Sequence, residues 1–118
     1  MAWKIRITDE AKKDYGKIEG SIRKQVLAGI IKVSQAPLPS PNGYGKPLGN
    51  KNGNNLTGFF KIKYRGIGIR VVYTLVVDKM VMNIMVISPR DDNYCYELTA
   101  KLYDKYGDEV FQDIFKEF

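Results

Sequence analysis

The chain has 118 residues, with 19 Lys and Arg against 13 Asp and Glu and no histidine, a formal charge of +6. That length predicts one domain spanning 1–118 with a core of its own, and 44% apolar with 27% charged residues is the balance of a folded soluble protein. The missing histidine excludes His-activated nucleophiles and His-ligated metals, and the single cysteine, Cys95, excludes an internal disulfide.

The first six residues alternate polar and apolar and lack the apolar run of an export signal. The longest apolar stretches fall short of a bilayer span, so a cytoplasmic protein is expected. Trp3 to Ile7 reads as a short strand. Thr8 and Asp9 offer helix caps, and Ala11, Tyr15 and Ile18 recur at helical spacing up to Gly20. Ser21 is the expected cap of a second helix, with Ile22, Val26, Ile30 and Val33 on one face, ended by Ala36-Pro37.

From Pro37 to Thr57 the chain is punctuated by Pro, Gly and Asn and reads as a long exposed loop. Three strands follow, Gly58–Tyr64, Ile69–Val77 and Met80–Ser88, with turns at Arg65–Gly68 and Asp78-Lys79. A last amphipathic helix is predicted over about 96–118, its stripe running from Leu98 through Leu102, Tyr106, Val110 and Ile114 to Phe118, with a possible break at Gly107. The order β-α-α-β-β-β-α predicts an α+β domain, an antiparallel meander with the helical hairpin packed on one face.

Charge divides the chain sharply. Residues 1–90 hold 16 basic and 5 acidic residues, and residues 91–118 hold 3 basic and 8 acidic. From Gly20 to Val77 there are nine basic residues and no acidic one. Such a block suits a polyanion, of which nucleic acid is the commonest in cells; a solvated face is the plain alternative.

Side chains alternate along a strand, so Lys61 and Lys63 share a face. A turn over Arg65–Gly68 pairs Tyr64 with Ile69 and sets Lys63 opposite Arg70. Like charges facing each other destabilise a sheet, and a sheet shaped for stability alone would avoid them. Val81, Asn83, Met85 and Ile87 continue that face on the next strand, which delivers Pro89-Arg90, and Tyr96 opens the last helix. Phe59 lies on the same face, where it can stack on a base or pack in the core. Several other signals are weaker. Gly43-Tyr44-Gly45-Lys46 resembles part of a phosphate loop but lacks the spacing and the preceding strand. Gly66-Ile67-Gly68 reads as a hairpin turn. Asp91 and Asp92 are adjacent and point apart, without further metal ligands. Cys95, between two tyrosines, reads as a packed thiol.

Together, Phe60-Lys61-Ile62-Lys63-Tyr64-Arg65, Ile69-Arg70-Val71-Val72-Tyr73, Val86-Ile87-Ser88, Arg90 and Tyr96 resemble the RelE branch of the RelE/ParE toxins of bacterial toxin–antitoxin systems. The likeness extends to the opening strand, the hairpin ending in proline and the Gly45-Lys46-Pro47-Leu48 step. The long Asn/Gly loop and the aromatic-rich end from Phe111 to Phe118 depart from it.

The resemblance implies cleavage of mRNA in the ribosomal A site, by attack of a 2′-OH on the adjacent phosphate to leave a 2′,3′-cyclic phosphate and a 5′-OH. Such a reaction needs a base, donors for the charged phosphorane and an acid. Without histidine, a lysine among other cations can serve as base, because like charges favour a neutral amine. Lys63 is the first choice and Lys61 the second. Arg70 suits the nonbridging oxygens, Arg90 the leaving oxygen, and Tyr96 the base and the 2′-OH. Arg65, Lys46 and Phe59 are the further RNA contacts. A site with no strong acid–base pair depends on the ribosome for alignment. No cofactor and no metal are expected.

The implied partners are a small antitoxin encoded next door, the ribosome and mRNA, with DNA reached only through the antitoxin and no membrane. The C-terminal helix is expected to cover part of the apolar side of the site face and an antitoxin the rest, and the acidic 91–118 segment to be a solvated face or a shield over the cations. A gyrase-inhibiting ParE-like toxin and a non-catalytic RNA-binding module are the alternatives.

Overall fold

The computed structural model describes residues 2–51, 53–64, 66–89 and 92–118. Strand β1 (Lys4–Ile7) runs into α1 (Asp9–Gly16) through Thr8, whose Oγ1 accepts from the Ala11 N–H at 3.0 Å. The same hydroxyl donates to the Met85 carbonyl at 3.1 Å, pinning the helix start to the sheet. Helix α2 (Gly20–Ser34) is capped by Glu19, two residues before the serine that the sequence offers. The Glu19 carboxylate accepts from the N–H groups of Ser21 at 3.0 Å and Ile22 at 3.3 Å.

Four strands follow, β2 (Lys46–Lys51), β3 (Asn54–Lys63), β4 (Arg70–Val76) and β5 (Val81–Ser88). Helix α3 (Asp92–Tyr106), a 3-10 turn over Gly107–Phe111 and the short β6 (Lys116–Glu117) complete the order. The sheet runs β2-β3-β4-β5-β1-β6. β1 lies parallel to β5, and the other neighbours are antiparallel.

Both faces of this sheet are covered. The hairpin α1/α2 packs Val26, Ile30 and Val33 against Ile7, Tyr73 and Ile84. On the other face, α3 and the segment after it pack Leu102 and Val110 against Leu56, Phe59, Val72 and Met85. A strand buried on both sides has no polar alternation to keep, which is why β4 and β5 read as nearly continuous apolar runs.

The α+β class, the hairpin on one face and the three central strands are as the sequence predicts. Besides β1, which lies parallel to β5 where an antiparallel meander is expected, three features differ. The expected loop from Pro37 to Thr57 contains β2, which makes a hairpin with β3 in which Lys51 pairs with Asn54 and Gly53 takes φ +78°. The Asn and Gly residues there are hairpin-turn chemistry rather than loop composition. The last helix ends at Tyr106, because Gly107 adopts φ +60°. Beyond it Val110 stays buried, but Ile114 and Phe118 are exposed at 50% and 38%, so the stripe does not continue as a helix.

The third difference is a β-bulge. Val72 pairs with Val86 and Tyr73 with Ile84, leaving Met85 as the extra residue. Alternation slips by one there, so Ser88 rather than Ile87 reaches the face of Lys63 and Arg70. Ile87 packs instead in the core under the helical hairpin. The Thr8 hydroxyl bonded to the bulge carbonyl supplies the partner that the ladder does not.

Gly58 bends β3 where the C-terminal segment crosses it. It has φ +92°, and a Cβ there would lie 2.7 Å from Phe111 Cε1. Gly58→Ala is therefore expected to cost about 1–3 kcal/mol through backbone strain and overpacking. Urea unfolding of the variant checks this through a lower midpoint at unchanged slope.

Candidate active site

The site grows from the register of three strands. Lys61 and Lys63 leave β3 on one face, and β4 sets Val72 opposite Lys61 and Arg70 opposite Lys63, the predicted pairing. On the other side of β3, Lys46 pairs with Lys61. β5 adds Ser88 beside Arg70. Directly paired residues of an antiparallel ladder point the same way, so four cations gather on one end of the sheet. Lys63 and Lys46 are exposed, while Lys61 and Arg70 are half-buried.

Helix α3 begins across this end and brings two groups onto it. Lys61 Nζ donates to Tyr96 Oη at 3.2 Å. An ammonium can only donate, so the tyrosine oxygen accepts here and its own proton is directed elsewhere. One turn earlier, Asp92 Oδ1 accepts from Arg70 Nε at 2.7 Å. That charge-assisted bond from Arg70 holds the Asp92 carboxyl below the ordinary carboxylate range, with Lys61 and Lys63 adding to the effect against partial burial. Asp92 is thus ionised at neutral pH.

Several expectations change. Phe59 is fully buried, with Tyr103 at 5.3 Å and Phe111 at 5.8 Å between ring centroids, so it is a core residue and not an RNA contact. Its face is the cationic one, but α3 and the 3-10 turn cover it. Tyr96 is 6% exposed and packs in the same cluster, which leaves its hydroxyl end, not its ring, for the site. Arg65 and Arg90 lie outside the described residues. Cys95 is buried, and burial pushes its thiol up to about 11, in keeping with a packed, unreactive sulfur.

Of the acidic 91–118 segment, Asp92 reaches the cations through its ion pair with Arg70, whereas the carboxylates near the C-terminal end turn elsewhere. Asp113 and Glu117 pair with Arg6 on β1 at 3.1 Å and 3.6 Å, on the far side of the sheet from β3. Among the described carboxylates, Asp92 is the one placed on the cationic cluster. The apolar side of the site face is not open. Val72 and Met85 pack with Leu102 and Val110 of the chain's own C-terminal segment, as expected of that segment, and Val76 and Val81 are buried too. Asp92 was legible only as half of an Asp-Asp pair; its place in the first turn after a strand end was the overlooked signal.

Among the described residues, no group of three His, Cys, Asp or Glu side chains is placed to hold a metal ion, and no helix is long and apolar enough to cross a membrane.

No family model matches the chain. It is 24% identical over 101 residues to the mRNA interferase toxin RelE of Escherichia coli K12, covering 86% of this chain and 97% of that protein. The mRNA interferase RelE of Shigella flexneri matches to the same extent. The isolated E. coli RelE toxin superposes with a TM-score of 0.60 at 24% identity, covering 85% of this chain and 97% of that one. The toxin–antitoxin complex RelBE2 of Mycobacterium tuberculosis gives 0.60 at 22%, covering 75% and 98%. The chain has the RelE fold over nearly the whole length of these proteins and is a distant sequence relative of the curated toxins.

Proposed function

We propose that this chain is a RelE-type toxin, a ribosome-dependent endoribonuclease that cuts mRNA in the A site and is held in check by a cognate antitoxin. The observation that carries the reading is the convergence of Lys61, Lys63 and Arg70 on one end of the sheet, with Tyr96 Oη 3.2 Å from Lys61 Nζ. A cluster of three cations offers nothing to a folded core and much to a phosphate whose charge rises in the transition state. The curated relatives named mRNA interferases support it. On this reading the protein acts where ribosomes are, in the cytoplasm.

The reaction joins the 2′-oxygen to phosphorus and releases the 5′-oxygen. Lys61 and Lys63 are the candidate acceptors of the 2′-OH proton, each only in its neutral amine form. The ammonium so formed, or water, returns a proton to the departing 5′-oxygen. The half-buried position of Lys61 against Tyr96 supports that residue for the acceptor role. The Tyr96 hydroxyl, anchored by Lys61, orients the 2′-OH. Arg70 presents its planar fork to the nonbridging oxygens, and Arg90 is assigned to the leaving oxygen. Proton transfer by such groups is weak, and alignment of the message by the ribosome supplies what they lack.

Asp92 occupies one edge of the Arg70 fork, where a phosphate oxygen would bind. Asp92→Asn removes a negative charge from the path of the RNA and is expected to tighten binding of a single-stranded oligonucleotide about three- to tenfold. The magnitude follows from a partly exposed ion pair. Fluorescence anisotropy checks it, and unchanged affinity would mean that the phosphate does not meet Arg70 on that edge.

The reading itself is tested by adding purified protein to a cell-free translation system and, in parallel, to a gyrase supercoiling assay. Truncated mRNA with unaffected supercoiling supports it. Intact mRNA with blocked supercoiling replaces it with a gyrase-directed toxin.

A further inference from the structure

β2 begins at Lys46, opposite Lys61, so the last residues of β3 have no strand on that side among the described residues. Helix α2 and the loop ahead of β2 wall the gap and form a groove of about 340 Å³. Lys32, Lys46, Lys61 and Lys63 line it together with Tyr44, and no acidic side chain is among its lining. Gly29 shapes its inner wall: a Cβ there would lie 2.3 Å from Tyr64 Cε1, so only glycine lets the Tyr64 ring lie against the helix.

Tyr44 has no evident role in folding. It is 49% exposed, yet the Lys32 ammonium sits 5.3 Å from its ring centroid. An exposed aromatic ring among lysines is what a single-stranded nucleic acid needs, since every base can stack on it and each phosphate finds a cation. Lys61 belongs both to this groove and to the pair with Tyr96, so the two sites are continuous. A duplex has no unstacked base to offer Tyr44, and an acidic protein segment would satisfy the lysines but make no use of an exposed ring as a stacking platform.

We infer that this groove is a second RNA subsite, which holds the message strand next to the scissile nucleotide with a base on Tyr44 and its phosphate between Lys32 and Lys46. The inference rests on the proposed nuclease reading for what the strand is, but the groove can be tested without cleavage.

The test measures binding of a fully 2′-O-methylated hexanucleotide, which cannot be cut, to the full chain. Tyr44→Ala is expected to weaken binding about five- to hundredfold, as loss of one stacked base does, and Tyr44→Phe to stay within about twofold of native. Lys32→Gln is expected to flatten the log–log salt dependence by about 0.7. Tyr44 is exposed, so an unchanged melting temperature accompanies these effects. A second arm places 4-thiouridine in an mRNA on programmed ribosomes and expects a cross-link to Tyr44.

Native-like binding by Tyr44→Ala, equal affinity for a duplex of the same sequence, or a message that cross-links elsewhere on the chain and not to Tyr44 would each overturn the subsite. Failure of the nuclease reading looks different: Tyr44-dependent binding of the hexanucleotide persists while mRNA on ribosomes stays intact.

Discussion

Arg70→Ala is expected to slow single-turnover cleavage of ribosome-bound mRNA about 100- to 1,000-fold. Arg70 is half-buried, and its guanidinium is the one planar donor fork described on the cationic face, held by the 2.7 Å bond from Nε to Asp92. Removing a donor aimed at developing oxyanion charge typically has an effect of that size. Arg70→Lys should recover little of it, because a single ammonium cannot bridge two oxygens of the phosphorane. The fold should survive both changes. Asp92 has a side-chain exposure of 40%, so water can solvate the carboxylate left behind. A rate loss with a nearly unchanged melting temperature is the expected result. A large loss of stability with normal cleavage per folded molecule would make Arg70 a structural residue.

Phe59→Ala tests the other side of the same strand face, where the chemistry gives way to core. Phe59 is fully buried and contacts Tyr103 and Phe111 edge to face. Truncating it leaves a cavity between β3 and the C-terminal segment, and the expected cost is about 3–5 kcal/mol. For a chain of this size that corresponds to a melting temperature lower by roughly 10–20 °C. Phe59→Leu, which keeps most of the volume, should restore most of the stability and leave RNA affinity as it was. Weakened RNA binding at unchanged melting temperature would instead make Phe59 a stacking residue.

These two residues mark how far the sequence could be read. The Lys63–Arg70 pairing was legible because alternation and a four-residue turn fix a hairpin register almost alone. Phe59 shares that face and looked like part of the same surface. Whether a strand face stays open depends on what crosses it, and here that is Phe111 over Gly58, more than fifty residues away. The bulge at Met85 was hidden for a similar reason. One extra residue in VMNIMVI leaves no mark in a run that is apolar throughout, yet it exchanges Ile87 for Ser88 at the site.

β2 is hidden in the sequence because Pro, Gly and Asn signal both loops and tight hairpins, and only pairing with β3 separates the two. The tail is ambiguous in the opposite direction. Its apolar spacing continues past Gly107, but a residue with φ +60° ends the helix, and the carboxylates beyond it find Arg6 rather than the cations on β3. In the sequence Asp92 reads as half of an adjacent acidic pair without further metal ligands. Its contact with Arg70 depends on how α3 enters from β5, a tertiary property with no periodic signature.

The most direct measurement is end mapping on purified ribosomes stalled with a defined codon in the A site, compared with the same mRNA free in solution. The account predicts one cut within the A-site codon, leaving a 2′,3′-cyclic phosphate and a 5′-OH, with free mRNA cut far more slowly and the ribosomal cut lost in Arg70→Ala. Equal cutting of free and ribosome-bound mRNA, or intact mRNA in both, would contradict it.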